Sequence, residues 1–253
     1  MADVFSDYAR YYNLLYKDKD YKAEAVYVQS LIHKYKPGTK TILNLGCGTG
    51  QHDRCLYRMG YHVCGVDLSQ TMLVEARKHA VAGKLEFFHG DVRNFDLGKT
   101  FDAVISLFHV MSYQTGNKDI LSAFRTAAQH LEAGGVFVFD FWHAQGVLDD
   151  PPQERVRCLE DASVKIIRTA RPVVHPQMDV IDVNYHMQVT DKLSGAESEL
   201  RETHSMRYFF LRDLERFLSQ SGFRLMDCLA WFTNNPLKNE WYGVVVACKQ
   251  EHS

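Results

Sequence analysis

Three glycines at every second position, in Leu43-Asn44-Leu45-Gly46-Cys47-Gly48-Thr49-Gly50-Gln51-His52, follow an apolar run and open a helical one. Chain that turns from strand to helix through such a loop brings its backbone against a ligand with no Cβ in the way, at a helix N-terminus that favours anionic or polar groups. Asp67 closes the next apolar run, Cys64-Gly65-Val66-Asp67. A carboxylate there accepts two hydrogen bonds from a ribose diol, although it could also cap the helix that begins near Ser69. Asp91, in His89-Gly90-Asp91-Val92, follows a third run, where it could accept an adenine amino hydrogen or serve as an ordinary loop aspartate.

These residues need a scaffold that brings successive strand ends together. Thr41–Leu45, His62–Val66, Leu85–Phe88, Phe101–Ser106 and Val136–Phe139 read as five strands. Helical patterns separate them: one to about Met59-Gly60, one capped by Ser69 with Met72, Leu73, Ala76 and Ala80 on a face, and one begun by Asn117 and stopped by Gly134-Gly135. Strands alternating with helices imply βαβ units and a mainly parallel sheet covered on both faces. Upstream, tyrosines at 8, 11, 12, 16 and 21 precede a helix with Ala23, Val26, Tyr27 and Leu31 on one face. After Pro151-Pro152 the pattern becomes apolar/polar alternation at Val164–Arg168, Val180–Val189 and Leu200–Tyr208, with Pro172, Pro176 and Asp191–Gly195 as turns. Residues 155–208 therefore read as a three-strand antiparallel insertion. A helix ended by Gly222 and two strands, Phe223–Trp231 and Trp241–Cys248, close the pattern.

The ordered set of glycine loop, Asp67 and Asp91 on successive strands resembles the class I S-adenosylmethionine-dependent methyltransferases. Phe101–Ile105 and Leu131-Glu132-Ala133-Gly134-Gly135 extend the resemblance, which covers residues 41–140 closely. It implies a doubly wound α/β fold: a mainly parallel, seven-stranded Rossmann-like sheet with the small antiparallel insertion after the fifth strand. The chain divides on this basis into an N-terminal helical lid (1–40), a cofactor-binding core (41–154), an insertion that covers the acceptor or builds a dimer contact (155–208), and closing elements (209–253). The implied cofactor is S-adenosyl-L-methionine, with Tyr21, Gly46, Cys47, Gly48, Asp67, Leu68, Met72, Asp91, Val92 and Leu107 as its binding residues. Gly46 to Gly48 would line its methionine half, Leu68 its ribose and adenine, and Leu107 would sit near the sulfonium.

A closer similarity is to the N-methyltransferases that dimethylate amino groups of nucleotide-linked sugars. It is carried by Tyr12-Asn13-Leu14-Leu15-Tyr16, Asp20-Tyr21, Asp96-Leu97-Gly98 and the insertion. Those enzymes usually have aspartate where Asn13 stands, and a longer Pro- and Trp-rich run where this chain has Asp140-Phe141-Trp142-His143. Methyl transfer to an amine or hydroxyl of a small molecule is expected. An amine must shed its proton before or near transfer. Tyr12, His109 and Tyr113 are the catalytic candidates, although a lone histidine in an apolar loop also suits a structural hydrogen bond. Trp142 and His143 are expected to shape the pocket.

Two other readings share the scaffold: a nicotinamide dehydrogenase and a cofactor-binding but inactive partner protein. The first wants G-x-G-x-x-G, but Gln51 holds the third glycine's place, and no Tyr-x-x-x-Lys pair is present. Lys and Arg number 29 against 31 Asp and Glu, so the net charge of −2 gives no support to a nucleic-acid partner. The position after the fourth strand reads Leu107-Phe108-His109-Val110, without the Asp-Pro-Pro-Tyr type of run found in methyltransferases of base amines. No apolar run is long enough to span a bilayer. Met1–Asp7 carries an early acid and no leader-like pattern. Six cysteines lack C-x-x-C spacing and read as reduced core thiols. A cytoplasmic enzyme is expected, without a metal, with a small-molecule acceptor and a homodimer as an option.

Overall fold

The computed structural model describes residues 11–250. Tyr8 and the opening run Met1–Asp7 lie outside the described residues. The five predicted strands form: β1 (Thr41–Leu45), β2 (His62–Asp67), β3 (Leu85–His89), β4 (Phe101–Ser106) and β5 (Leu131–His143). All pair in parallel, β1 between β2 and β4, with β3 outside β2 and β5 outside β4. Closing strands β10 (Phe223–Ala230) and β11 (Tyr242–Lys249) join antiparallel, β11 along β5 and β10 along β11. The core order is thus β3-β2-β1-β4-β5-β11-β10.

Helices α3 (Gln51–Arg58), α4 (Gln70–Arg77), α5 (Asn117–Gln129) and α7 (Leu211–Gln220) cover the sheet with α2 (Tyr21–Tyr35). Strands with two covered faces must be apolar on both sides, which is why their sequences run without alternation. One face packs Phe137, Phe139, Phe141 and Phe223 beneath Phe124 of α5 and Phe217 of α7. The other packs Ile42, Val63, Ile105, Val138 and Val244 with Ala25, Val28, Leu31 and Ile32 of α2. Each buried aromatic or branched side chain contributes about 1.5–3 kcal/mol relative to exposure.

Several details depart from expectation. Helix α4 ends at Arg77, so Ala80 lies outside it and is exposed. The buried face of α2 is Ala25, Val28, Leu31 and Ile32, while Val26 is 48% exposed. Gly116, not Asn117, is the N-cap of α5, and the Asn117 side chain accepts from Arg207 instead (2.8 Å). That helix ends at Gln129, so Gly134-Gly135 lie inside β5, opposite a register slip in β4. Finally, the insertion has four antiparallel strands: β6 (Arg155–Glu160), β7 (Val164–His175), β8 (Val180–Asp191) and β9 (Glu197–Phe209). Strand β6 is the sheet's edge, and its mostly exposed, charged residues hide it from an apolar pattern. Pro172 is not a turn; it lies in β7 beyond the end of β6, where the strand has one neighbour.

The insertion meets the core where β9 pairs with β5 at Trp142 and His143. Short helix α1 (Tyr12–Leu15) packs on the insertion through Leu15, Leu159, Ile166, Met187 and Val189, and α6 (Ala144–Asp149) lies near β9. Core and insertion thus face each other across the C-terminal ends of β4 and β5.

Candidate active site

The glycine loop is held from below. The backbone N–H groups of Gly46 and Cys47 both donate to the Val66 carbonyl (2.8 and 2.9 Å). Gly46, Gly48 and Gly50 all have positive φ (83°, 56° and 71°), but for different reasons. A Cβ on Gly46 would lie 2.5 Å from Val110, and one on Gly50 would lie 2.8 Å from the Phe87 ring. A Cβ on Gly48 would meet nothing within 4 Å among the described residues. Packing therefore demands two of the glycines, and Gly48 alone borders open space that a ligand can enter.

Asp67 sits at the end of β2, beside that space. One carboxylate oxygen accepts from Gly48 N–H (2.7 Å) and the other from Ser69 N–H (2.8 Å). Ser69 itself caps α4 by accepting from Met72 N–H (3.3 Å), so Asp67 is not needed as the cap. Each Asp67 oxygen keeps a further lone pair for a hydroxyl donor. Burial pushes its pKa up, against the pull of the Ser69, Gly48 and Leu68 backbone N–H groups. Of the other expected cofactor residues, Leu68 is 57% exposed, whereas Cys47, Met72, Val92 and Leu107 are buried. Both Asp91 oxygens are taken up by the Arg93 guanidinium fork, which holds this carboxyl below its usual range. Behind the loop, Asp53 is fully buried and accepts from the Asn44 amide (2.8 Å). Burial pushes its pKa up to about 7.

The N-terminal segment is tied to this loop. Asn13 Oδ1 accepts from the Thr49 hydroxyl (3.0 Å) and the Gln51 amide (3.4 Å). Asp20 caps α2 by accepting from Ala23 N–H. Glu24 pairs with Lys19 and, at 2.7 Å, with His52. Burial raises the Glu24 pKa, but the His52 and Lys19 contacts outweigh it and leave the carboxyl below its ordinary value. Tyr21 packs edge-on against His52 (4.9 Å between ring centres), and Lys19 stands 4.3 Å over the Phe108 ring.

A second cluster, past the C-terminal ends of β4 and β5, gathers residues from several distant segments. Tyr12 and Tyr16 pack against each other (4.8 Å) and against Phe108 (6.3 and 4.9 Å). Phe108 and His109 both lie in the left-handed region (φ 68° and 64°), at a cost of about 1–2 kcal/mol per residue. His109 stacks on Tyr242 (4.7 Å, 17° between planes). Its backbone N–H donates to Asp140 Oδ1 (2.8 Å), and its Nδ1 lies 3.2 Å from Asp140 Oδ2, off the line of a formed hydrogen bond. Burial lowers the His109 pKa and the Asp140 charge opposes this; the net direction is down, which favours the neutral imidazole. Tyr113 ends a 3-10 turn, Val110–Tyr113, with its hydroxyl 2.8 Å from His204 Nδ1. The opposite nitrogen of His204 is 3.2 Å from Glu202. Arg168 stands over the Tyr185 and Tyr16 rings (5.3 and 5.8 Å). His143 Nδ1 pairs with the Glu240 carbonyl (3.1 Å), a structural contact.

The structure thus links Tyr12 to His109 through Phe108, and couples Tyr113 to the insertion. Asp140, His204 and Glu202 were not among the expected residues. A lone acid in the apolar run Val136–Phe141 is the one signal that could have pointed to Asp140. Nothing local marks His204 or Glu202, whose partners are about 90 residues away or two residues along a strand.

A methyltransferase domain model matches residues 42–135. The chain is 36% identical to dTDP-3-amino-3,4,6-trideoxy-alpha-D-glucopyranose N,N-dimethyltransferase of Streptomyces venezuelae over 223 residues, 87% of this chain and 91% of that protein. The sugar N-methyltransferase KedS8 from Streptoalloteichus sp. superposes with a TM-score of 0.82 at 27% identity, covering 95% and 93% of the two chains. SAM-bound CalS10, an amino pentose methyltransferase from Micromonospora echinaspora, superposes at 0.76 with 25% identity, over 97% and 98%. The dehydrogenase reading has no counterpart among these proteins. With the open space at Gly48 and the carboxylate of Asp67 beside it, these similarities establish that the chain belongs to the class I S-adenosylmethionine-dependent methyltransferases, of the amino-sugar N,N-dimethyltransferase type.

Proposed function

We propose that this enzyme N-methylates the amino group of a nucleotide-linked amino sugar, with His109 as the base. The observation that carries this reading is a mostly buried imidazole just past the C-terminal end of β4, its pKa lowered by burial, backed by Asp140 and walled by Phe108, Trp142 and Tyr242, with Tyr12 and Tyr16 packed on Phe108. Bound S-adenosylmethionine supplies a methyl group already activated on a sulfonium. Gly48 and Asp67 would hold its nucleoside and loop-facing parts, with Leu68, Met72, Val92, Leu107 and Tyr21 around it. The protein's remaining task is to orient the amine, take its proton and exclude water. The aromatic lid suits the last of these. Arg157 and Arg168 bear on Tyr185, and Arg155 and Arg157 on Tyr242, which supports an acceptor carrying anionic phosphates at this mouth. A small acceptor also fits the net charge of −2 better than a nucleic acid does.

The test is turnover with labelled S-adenosylmethionine and matched nucleotide sugars bearing an amine or a hydroxyl at the reacting carbon, read by product mass. Gain of one or two methyl groups on the amine alone supports the reading. Equal or faster reaction of the hydroxyl compound overturns it.

A further inference from the structure

Phe108 and His109 form a turn that two consecutive non-glycine residues make in the left-handed region, so something must hold it. Asp140 does so from the neighbouring strand β5. It is 1% exposed, within an otherwise apolar run, where a carboxylate without partners would be costly. One oxygen fixes the His109 main chain and the other faces Nδ1 of the same residue's ring. A single side chain therefore sets both the place of the imidazole and the nitrogen it turns inward. On its far side the ring is stacked flat on Tyr242, which leaves rotation restricted.

We propose that Asp140 is the positioning residue of the reaction: it keeps the His109 proton on Nδ1, so that Nε2 is the nitrogen that takes the proton of the acceptor amine. This inference rests on the reading of His109 as the base. When Nε2 accepts that proton, the ring becomes an imidazolium whose Nδ1–H is directed at the Asp140 carboxylate; the electron pair left on the amine would bond to the methyl carbon as the carbon–sulfur bond breaks, its electrons staying with the leaving thioether. The 3.2 Å contact is of the loose kind that tightens when the ring becomes charged. Other ionisable groups bearing on His109 are Lys19 and Glu24 from the N-terminal segment and Tyr242 from β11. Lys19 and Glu24 pair with each other and act on the ring in opposite directions, and Asp140 is the largest charge that opposes the burial.

Asp140→Asn tests the assignment. The amide oxygen keeps the bond to His109 N–H, which preserves the turn, and directs the NH2 at Nδ1. Nδ1 must then accept, the ring proton moves to Nε2, and the base is blocked. With the full-length enzyme and an amino-sugar nucleotide that it methylates, kcat is expected to fall about 100-fold or more, since a general base supplies roughly 10²–10⁴. The dissociation constant of S-adenosylmethionine is expected to be unchanged, and the rise of kcat with pH through the imidazole pKa to disappear. His109→Gln separates the two readings. If His109→Gln lowers kcat at least tenfold and Asp140→Asn does not, Asp140 has no positioning role and the base stands; if His109→Gln leaves kcat intact, the base reading itself fails. Nitrogen-15 NMR of histidine-labelled wild-type enzyme gives an answer even if Asp140→Asn does not fold. The His109 proton on Nδ1 supports the proposal, and a proton on Nε2 in the neutral ring overturns it.

Discussion

The two halves of the candidate site are built in opposite ways. The proposed cofactor side uses backbone and one acid from adjacent strand ends: Gly46–Gly50, the Val66 carbonyl and Asp67. The proposed acceptor side uses side chains from segments that are distant in sequence: Tyr12, His109, Asp140, Tyr185, His204 and Tyr242. A shared donor can be held by a local motif, whereas acceptor choice rests on side chains that tertiary structure must assemble. Changes on the first side should therefore act on donor affinity and fold together, and changes on the second on acceptor kinetics alone.

The largest effect is expected at Gly46. Alanine there combines a left-handed backbone with a Cβ driven into Val110, so Gly46→Ala should destabilise the fold by about 3 kcal/mol. Gly48→Ala has the same backbone strain without the clash, and should cost only about 1 kcal/mol. Its damage should appear instead as at least tenfold weaker binding of S-adenosylmethionine, because its Cβ occupies the open space. Denaturant unfolding and calorimetry on both variants separate packing glycine from ligand-facing glycine; equal behaviour would remove the distinction.

Next in size is Asp67→Ala, expected to weaken donor binding by at least about 1.5 kcal/mol, roughly tenfold, through loss of a charged acceptor. The Gly48 and Ser69 N–H groups also lose their partner, so some loss of order in the loop should accompany it. Calorimetry with unchanged affinity would show that the nucleoside lies elsewhere.

The same contrast explains what could be read in advance. Strands β1 to β5 were legible because burial on both faces leaves apolar runs, and the glycine loop because a positive φ restricts residue type locally. Ser69 was legible as a cap for the same local reason. Strand β6 was not: Arg155, Arg157 and Glu160 at an exposed edge carry no apolar period. The α2 face was misplaced because Ala23, Val26 and Tyr27 fit the helical period about as well as Ala25, Val28 and Ile32, and only packing against the sheet decides. His109 could be named as a base candidate, but its partner Asp140 sits on another strand, and a spacing of about 30 residues has no periodic signature.

On the acceptor side, the link from Tyr113 through His204 to Glu202 ties the core to the insertion. Glu202→Gln removes the charge at its far end while keeping shape. The acceptor KM is expected to rise about threefold to tenfold, a loss of about 1 kcal/mol, with donor affinity unchanged. A matching loss in donor affinity would mean that the two sides are less separable than the geometry implies.

The smallest expected effect lies behind the cofactor loop. Asp53 is buried there with the nearby Asp67 charge adding to the burial that raises its pKa. An unfolded chain releases this proton near the ordinary value of 3.8, and the folded protein near about 7. Between those values the native state holds the extra proton, so stability falls as pH rises, and the loss is complete above the folded value. Asn44 Oδ1 and Asp53 Oδ1 are both buried without a hydrogen-bond partner among the described residues. An asparagine at 53 could accept from one Asn44 atom and donate to the other, with no charge to desolvate. Asp53→Asn should therefore match the wild type at about pH 6 and exceed its stability by roughly 1 kcal/mol at about pH 8. Urea unfolding at the two pH values decides it, and parallel pH slopes in the two proteins would show that Asp53 is ionised in the fold. A neutral Asp53 leaves Asp67 as the carboxylate facing the open space, so removing the titration should leave donor affinity near its wild-type value while Asp67→Ala does not.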